Sequence, residues 1–238
     1  MKTPITNNQV PNNKQIPNSK NGRWALNIGN YLVIGIWSLV IAAMLSGCAK
    51  VVTPVFTAGK HITMEINYKA NIDTTANKYY IIFNNNSSPL LPFMPVQFVE
   101  PGETPAQPDV DYYGQYYPTW KSYVVLDGNS FSFVKGPFTS EAVPTKEVIA
   151  TWSGAQSNQI SITFDMSRLG TLTERLNFDI VSVDKTSKLV KDNLSPLNSS
   201  PSTSYVFTIT DTTATGSDEA TPGIPESVDI LNWRILVQ

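Results

Sequence analysis

Read as apolar and polar positions, the chain changes character once, near residue 60. Before that point, Trp24 to Met44 forms one uncharged and largely apolar run. Beyond it, apolar residues come in short bursts separated by polar turns. Ile62 to Lys69 (ITMEINYK) alternates apolar and polar at every position, the period of a half-buried strand. Tyr79 to Phe83 is continuously apolar between Asn-Lys and Asn-Asn-Asn, and it predicts a buried central strand. Tyr123 to Leu126 and Phe131 to Val134 flank Asp127-Gly128, a strong hairpin signal. Val148 to Trp152 and Gln159 to Phe164 flank a second polar turn, and Leu176 to Val183, Tyr205 to Ile209 and Ile230 to Val237 continue the series. Helical periodicity never runs over ten residues. Asp165 to Gly170 has room for one short turn, with Asp165 or Ser167 as its cap, and Thr186 to Leu194 for another. The pattern predicts an all-β fold, an antiparallel β-sandwich of about nine strands over residues 61–238.

Three stretches break the strand rhythm. Val51 to Lys60 reads as a short tether. Asn84 to Thr119 is 36 residues long with seven prolines, far beyond the usual connection, and such loops are functional or disordered. Asp211 to Ser227 is polar and rich in turn formers, so it is expected to be a mobile surface loop.

Charge gives the amino-terminal run its meaning. Lys2, Lys14, Lys20 and Arg23 precede it, and no acidic residue occurs before Glu65. A basic leader (1–23), an apolar region (24–44) and small residues before a cut site make a secretory signal over 1–47. Leu45-Ser46-Gly47-Cys48 follows directly, and Cys48 is the single cysteine of the chain. These four residues resemble the lipobox of bacterial lipoproteins. The resemblance implies a diacylglycerol thioether on Cys48, cleavage before it, and a lipid-held tether over 48–60. The competing reading is an uncleaved membrane-spanning helix, since the 21 residues of the run match the roughly 20 that a span needs. Asn27, Asn30, Gly29, Gly35 and Ser38 make it a mediocre one. Both readings place the rest of the chain outside the cytoplasm. Ala49, where an aspartate would resemble an inner-membrane retention signal, favours the outer membrane or cell surface in an organism with two membranes.

The exported portion holds thirteen basic and nineteen acidic residues, a net charge of −6, without a basic cluster. Nucleic acid is therefore not an expected partner, because phosphate binding calls for a basic patch. With one cysteine there is no internal disulfide, so stability rests on an apolar core.

Candidate chemistry is sparse. His61 is the only histidine, so neither a Ser-His-Asp nor a Cys-His relay can be assembled, and a zinc site lacks its ligands. Asp109 and Asp111 stand two apart in the long loop, placed to face one ion or one sugar. Calcium needs six to eight oxygens, which Asp-Val-Asp does not supply alone, and no cofactor beyond the covalent lipid is expected. Between Tyr112 and Trp120, five aromatics fall within nine residues: Tyr112, Tyr113, Tyr116, Tyr117 and Trp120. Sugars stack their C–H faces on such rings, while phenol and indole donors reach the hydroxyls. The structural alternative is that a long Pro-rich loop needs these rings as its own apolar anchors. Trp152 and Trp233 fall within strands and are expected in the core.

Several segments taken together carry a second resemblance. Tyr79 to Asn84, a Pro-rich loop, Trp120 to Leu126 and Phe131 to Val134 form one half; Asn158 to Gly170, Leu176 to Asp184 and Asp192-Asn193-Leu194 form the other. The arrangement resembles the β-sandwich modules grouped with family 9 carbohydrate-binding and DOMON-type domains. It implies a sandwich and, in some members, sugar or haem binding. Haem-binding members use axial Met and His ligands, and His61 lies outside the matching segments, so haem is not carried over. The expectation is an envelope-anchored lipoprotein with a non-catalytic sandwich that binds glycan through Asp109, Asp111 and the Tyr112–Trp120 rings. The alternative is an assembly lipoprotein that docks on an envelope protein, and a carboxylate-dependent glycoside hydrolase is a distant third.

Overall fold

The computed structural model describes residues 59–238, apart from 86–89, 91–96, 105–106, 108, 155, 173–174, 195–204 and 209–210. The signal segment, Cys48 and most of the tether lie outside the described residues. Among the described residues, no helix is long and apolar enough to cross a membrane.

Two antiparallel sheets make up the fold. The smaller has the order β10-β11-β1-β6, built from β1 (His61–Tyr68), β6 (Gln159–Asp165), β10 (Thr213–Ser217) and β11 (Ile230–Val237). The larger runs β5-β4-β3-β2-β7-β8, from β2 (Asn77–Asn84), β3 (Ser122–Asp127), β4 (Ser130–Lys135), β5 (Lys146–Thr151), β7 (Arg175–Asp184) and β8 (Val190–Asn193). A seventh strand, β9 (Tyr205–Thr208), pairs with the first half of β7 while β8 pairs with the second half. The long β7 thus serves two short partners on one edge. The expected all-β class and antiparallel layers are present, with eleven strands among the described residues in place of about nine.

The alternation in β1 is the clearest link from sequence to packing. Ile62, Met64, Ile66 and Tyr68 point inward and are buried, while Thr63, Glu65 and Asn67 lie on the wetter face. They meet Tyr79, Ile81 and Phe83 of β2 and Leu176, Phe178 and Ile180 of β7 in one core between the sheets. Edge-on aromatic pairs lock the layers, with Phe83–Phe164 at 5.8 Å and Phe178–Trp233 at 5.0 Å between centroids.

β2 is apolar throughout because both of its faces are covered. Tyr80 and Ile82 face the other way, into a second core with Tyr123, Val125, Val134, Val181 and Val183. This outer layer is supplied by the long connection between β2 and β3: Leu90, Phe98, Val99, Tyr112, Tyr117 and Trp120 pack there beside Phe138. The described part of that connection is a third layer of the fold. Burying each large apolar side chain contributes roughly 1.5–3 kcal/mol, which favours docking of this layer on the larger sheet.

Two expectations about loops are corrected. Asp211 to Ser227 contains β10, whose register against β11 runs from Thr213↔Leu236 to Ser217↔Asn232. The segment Thr186 to Leu194 opens on the expected turn, closed by Lys188 N donating to Asp184 O at 2.9 Å, but continues as β8 instead of loop. Both strands are short edge strands of mixed polarity, and the pairing partner, not the local pattern, makes them extended.

Candidate functional site

The aromatic stretch after Asp109 folds into two linked helical turns, Tyr112–Tyr116 and Tyr117–Thr119. Asp111 caps the first, its carboxylate accepting from Gly114 N at 2.8 Å. A Cβ on Gly114 would collide with that carboxylate, so Asp111 and Gly114 form a matched pair. Tyr112, Tyr117 and Trp120 are buried. The Tyr112 hydroxyl donates to Gln97 O at 2.9 Å and the Tyr117 hydroxyl to Val99 O at 2.8 Å. Trp120 sits between Phe98 and Tyr117, at 5.6 and 5.4 Å. Burial pushes the Tyr112 and Tyr117 phenols above their ordinary value.

Those three rings anchor the loop and offer no face to a sugar. This corrects the expectation of a stacking platform over Tyr112–Trp120. Tyr113 and Tyr116 are half-buried, and the Tyr113 hydroxyl accepts from Gly102 N at 3.0 Å. Asp109 is exposed, and Asp111 is exposed but engaged as the cap. Among the described residues, no three His, Cys, Asp or Glu side chains come together as a metal site.

Behind the loop lies a buried charge cluster that the sequence pattern does not announce. Glu100, 3% exposed, accepts from Lys78 Nζ at 2.8 Å, Tyr80 Oη at 2.8 Å and Tyr123 Oη at 3.3 Å, and pairs with Lys146. Burial works to raise its pKa, but hydrogen bonds from Lys146 and Lys78 prevail and bring it down to about 2. Lys78 continues to Asp127 at 3.3 Å, and Asp127 to Lys185 at 2.6 Å. Every member is satisfied from within, so the cluster is a fastening between the loop and the larger sheet.

Among the described residues, an open concave site lies on the other face of the larger sheet. β6 packs over β4 through Phe133–Phe164, 5.8 Å between centroids. The start of β5, Lys146 to Val148, is exposed. Glu147 is the register partner of Phe133, and Lys135 follows Phe133 by two residues, so all three share one face. The helical turn Met166–Leu169 closes the groove from the other side. It is capped by Asp165, which accepts from Ser167 N at 2.7 Å, and ends at Gly170 with φ 79°. This turn aims Arg168 across the gap. Its guanidinium reaches Glu147 at 2.6 Å and lies 6.0 Å from the centre of the Phe133 ring. The pair polarises both groups: Glu147 holds the Arg168 pKa above its ordinary value, and Arg168 holds that of Glu147 below.

Phe133, Lys135, Thr145, Glu147 and Arg168 line a groove of about 400 Å³. Its size falls within the ordinary range of small-ligand sites. It offers two cations, one carboxylate, one hydroxyl and an aromatic floor. None of these residues stood out in the sequence, because they come from three separated elements. The short turn after β6 was the available signal: a Ser-Arg-Leu-Gly stop at a strand end presents its Arg at the sandwich rim.

The chain matches no family model, no curated protein and no solved structure.

Proposed function

We propose that this chain is an envelope-anchored lipoprotein whose sandwich is a non-catalytic binding module for glycan. Anchoring is supported by Leu45-Ser46-Gly47-Cys48 after a basic leader and an apolar run. The binding reading rests on one observation, the groove of Phe133, Lys135, Thr145, Glu147 and Arg168. Arg168 and Glu147 hold each other in place, and the lining groups are donors and acceptors of the kind that sugar hydroxyls satisfy. Tyr112, Tyr117 and Trp120 of the aromatic loop are buried against the larger sheet and are not part of this groove.

A second reading has its own observation. Val143, before β5, and Val148 within it are 81% and 64% exposed, and among the described residues β5 is the last strand of its sheet. An exposed edge with apolar side chains is a surface on which another chain can add a strand, which fits an assembly role.

One experiment separates the two. The full chain is expressed in a bacterium with [3H]palmitate, purified in detergent, and offered a panel of neutral and acidic polysaccharides. Label in the wild type and none in Cys48→Ala supports the lipid anchor. Retention by a glycan that Arg168→Gln weakens supports the binding module. Retention by none, with crosslinks from β5 to an envelope protein, supports assembly.

A further inference from the structure

We infer that the groove is built for a carboxylate-bearing sugar, a hexuronate unit of an acidic polysaccharide; this rests on the groove being the binding face. The argument is one of charge and geometry. Among the side chains that line the groove, Arg168 and Lys135 bring two positive charges and Glu147 one negative charge, a net of one positive charge, while the Asp165 carboxylate stays engaged as the cap of the turn behind Arg168. The chain as a whole is net −2, so the groove is of opposite sign to the molecule that carries it.

The Arg168 guanidinium is pre-positioned, bonded to Glu147 through Nη1 and lying against Phe133. A guanidinium carries five N–H donors in a planar fork, and this contact uses one nitrogen. The remaining donors match a planar carboxylate. Among the described residues, Lys135 has no ion-pair partner, and it projects from the face that carries Phe133. A single carboxylate balances the groove. A phosphomonoester, at nearly two negative charges, does not. Glu147 and Thr145 then serve the ring hydroxyls as acceptor and donor. Ordering Arg168 beforehand lowers the cost of binding, because its rotamer freedom is already spent on Glu147 and Phe133.

The test uses the full chain in detergent and isothermal titration with oligogalacturonate and oligoalginate. Their methyl esters serve as neutral isosteres, and glucose 6-phosphate as the phosphate control. Binding of an acid oligomer, weakened about tenfold or more by esterification, by Arg168→Gln and by Lys135→Gln, is expected for a charge-assisted contact. Added salt should weaken it further. Circular dichroism checks that both variants keep the wild-type fold, which is expected for side chains on the rim. Equal binding of ester and acid, reduced by Arg168→Gln, overturns the carboxylate assignment and keeps the groove as a glycan site. Tighter binding of glucose 6-phosphate also overturns it. Acid binding that survives both variants places the site elsewhere. If no acid oligomer binds but a neutral polysaccharide does, this inference fails while the glycan reading stands. If no glycan binds at all, both fall.

Discussion

At the scale of single residues, the smaller sheet depends on a place where nothing projects. Gly216 of β10 is the register partner of Trp233, and a Cβ there would lie 2.5 Å from the indole ring. That ring is set edge-on to Phe178 in the core, so it cannot yield without disturbing the packing between sheets. Gly216→Ala normally stabilises an extended backbone by about 0.4–1 kcal/mol through the unfolded state. Here overpacking should outweigh it, with a net loss of about 1–2 kcal/mol. The measurement is the urea midpoint, together with the near-ultraviolet dichroism of the indoles. An unchanged midpoint and unchanged Trp signal would show that the indole has room to move. Gly216 is also the reason β10 was missed in the sequence: a glycine in a run of Thr, Ala and Ser looks like a loop, and its strand role is visible only opposite Trp233.

At the scale of elements, the connection from β2 to β3 is the part of the molecule that most needs explaining. Glu100 fastens it, with its carboxylate between Lys78, Lys146, Tyr80 and Tyr123. Glu100→Gln leaves Lys78 partly buried with less to pair with, and losing one member of a buried pair costs about 3–5 kcal/mol. The expected result is a lower urea midpoint and faster proteolysis within 97–121, with the Phe133–Arg168 groove retained. Loss of all cooperative unfolding would instead show that the outer layer is needed for the sandwich itself. The strands facing this layer were legible: β2 reads as continuously apolar because two cores meet on it. The layer was legible only in part. The Tyr112–Trp120 cluster was visible, and its structural reading was open from the start, but aromatic content does not say which way rings point. The groove was not legible, since Phe133, Glu147 and Arg168 are brought together by register between β4 and β5 and by a turn that places Arg168 21 residues beyond Glu147.

At the scale of the whole molecule, buried carboxylates set the pH at which the fold is most stable. Asp179 is fully enclosed, and burial raises its pKa to about 7, although Asn193 donates to it at 3.3 Å. Asp192 is also raised to about 7, by burial first and then by the charges of Asp218 and Asp229, while it accepts from Ile230 N at 2.7 Å. Asp218, by burial and its nearness to Asp229 and Glu219, is raised to about 6. In an unfolded chain each would titrate near 3.9, so between these limits the folded state holds protons that the unfolded state has released. Their stabilising effect is complete below about pH 4 and is lost as pH rises through 6 to 7. Glu100 has the opposite sign: its folded pKa of about 2 gives stability that is present above about 4.3 and lost as pH falls through its folded value. The two trends meet near pH 4, where the stability set by these groups should peak. The urea midpoint is expected to fall from pH 5 to pH 8, with a loss on the order of 2 kcal/mol from Asp179 alone. Asp179→Asn keeps an acceptor in place, removes the ionisation and should flatten that slope. A midpoint that rises steadily from pH 5 to pH 8 would mean that these carboxylates are ionised and matched in the folded protein.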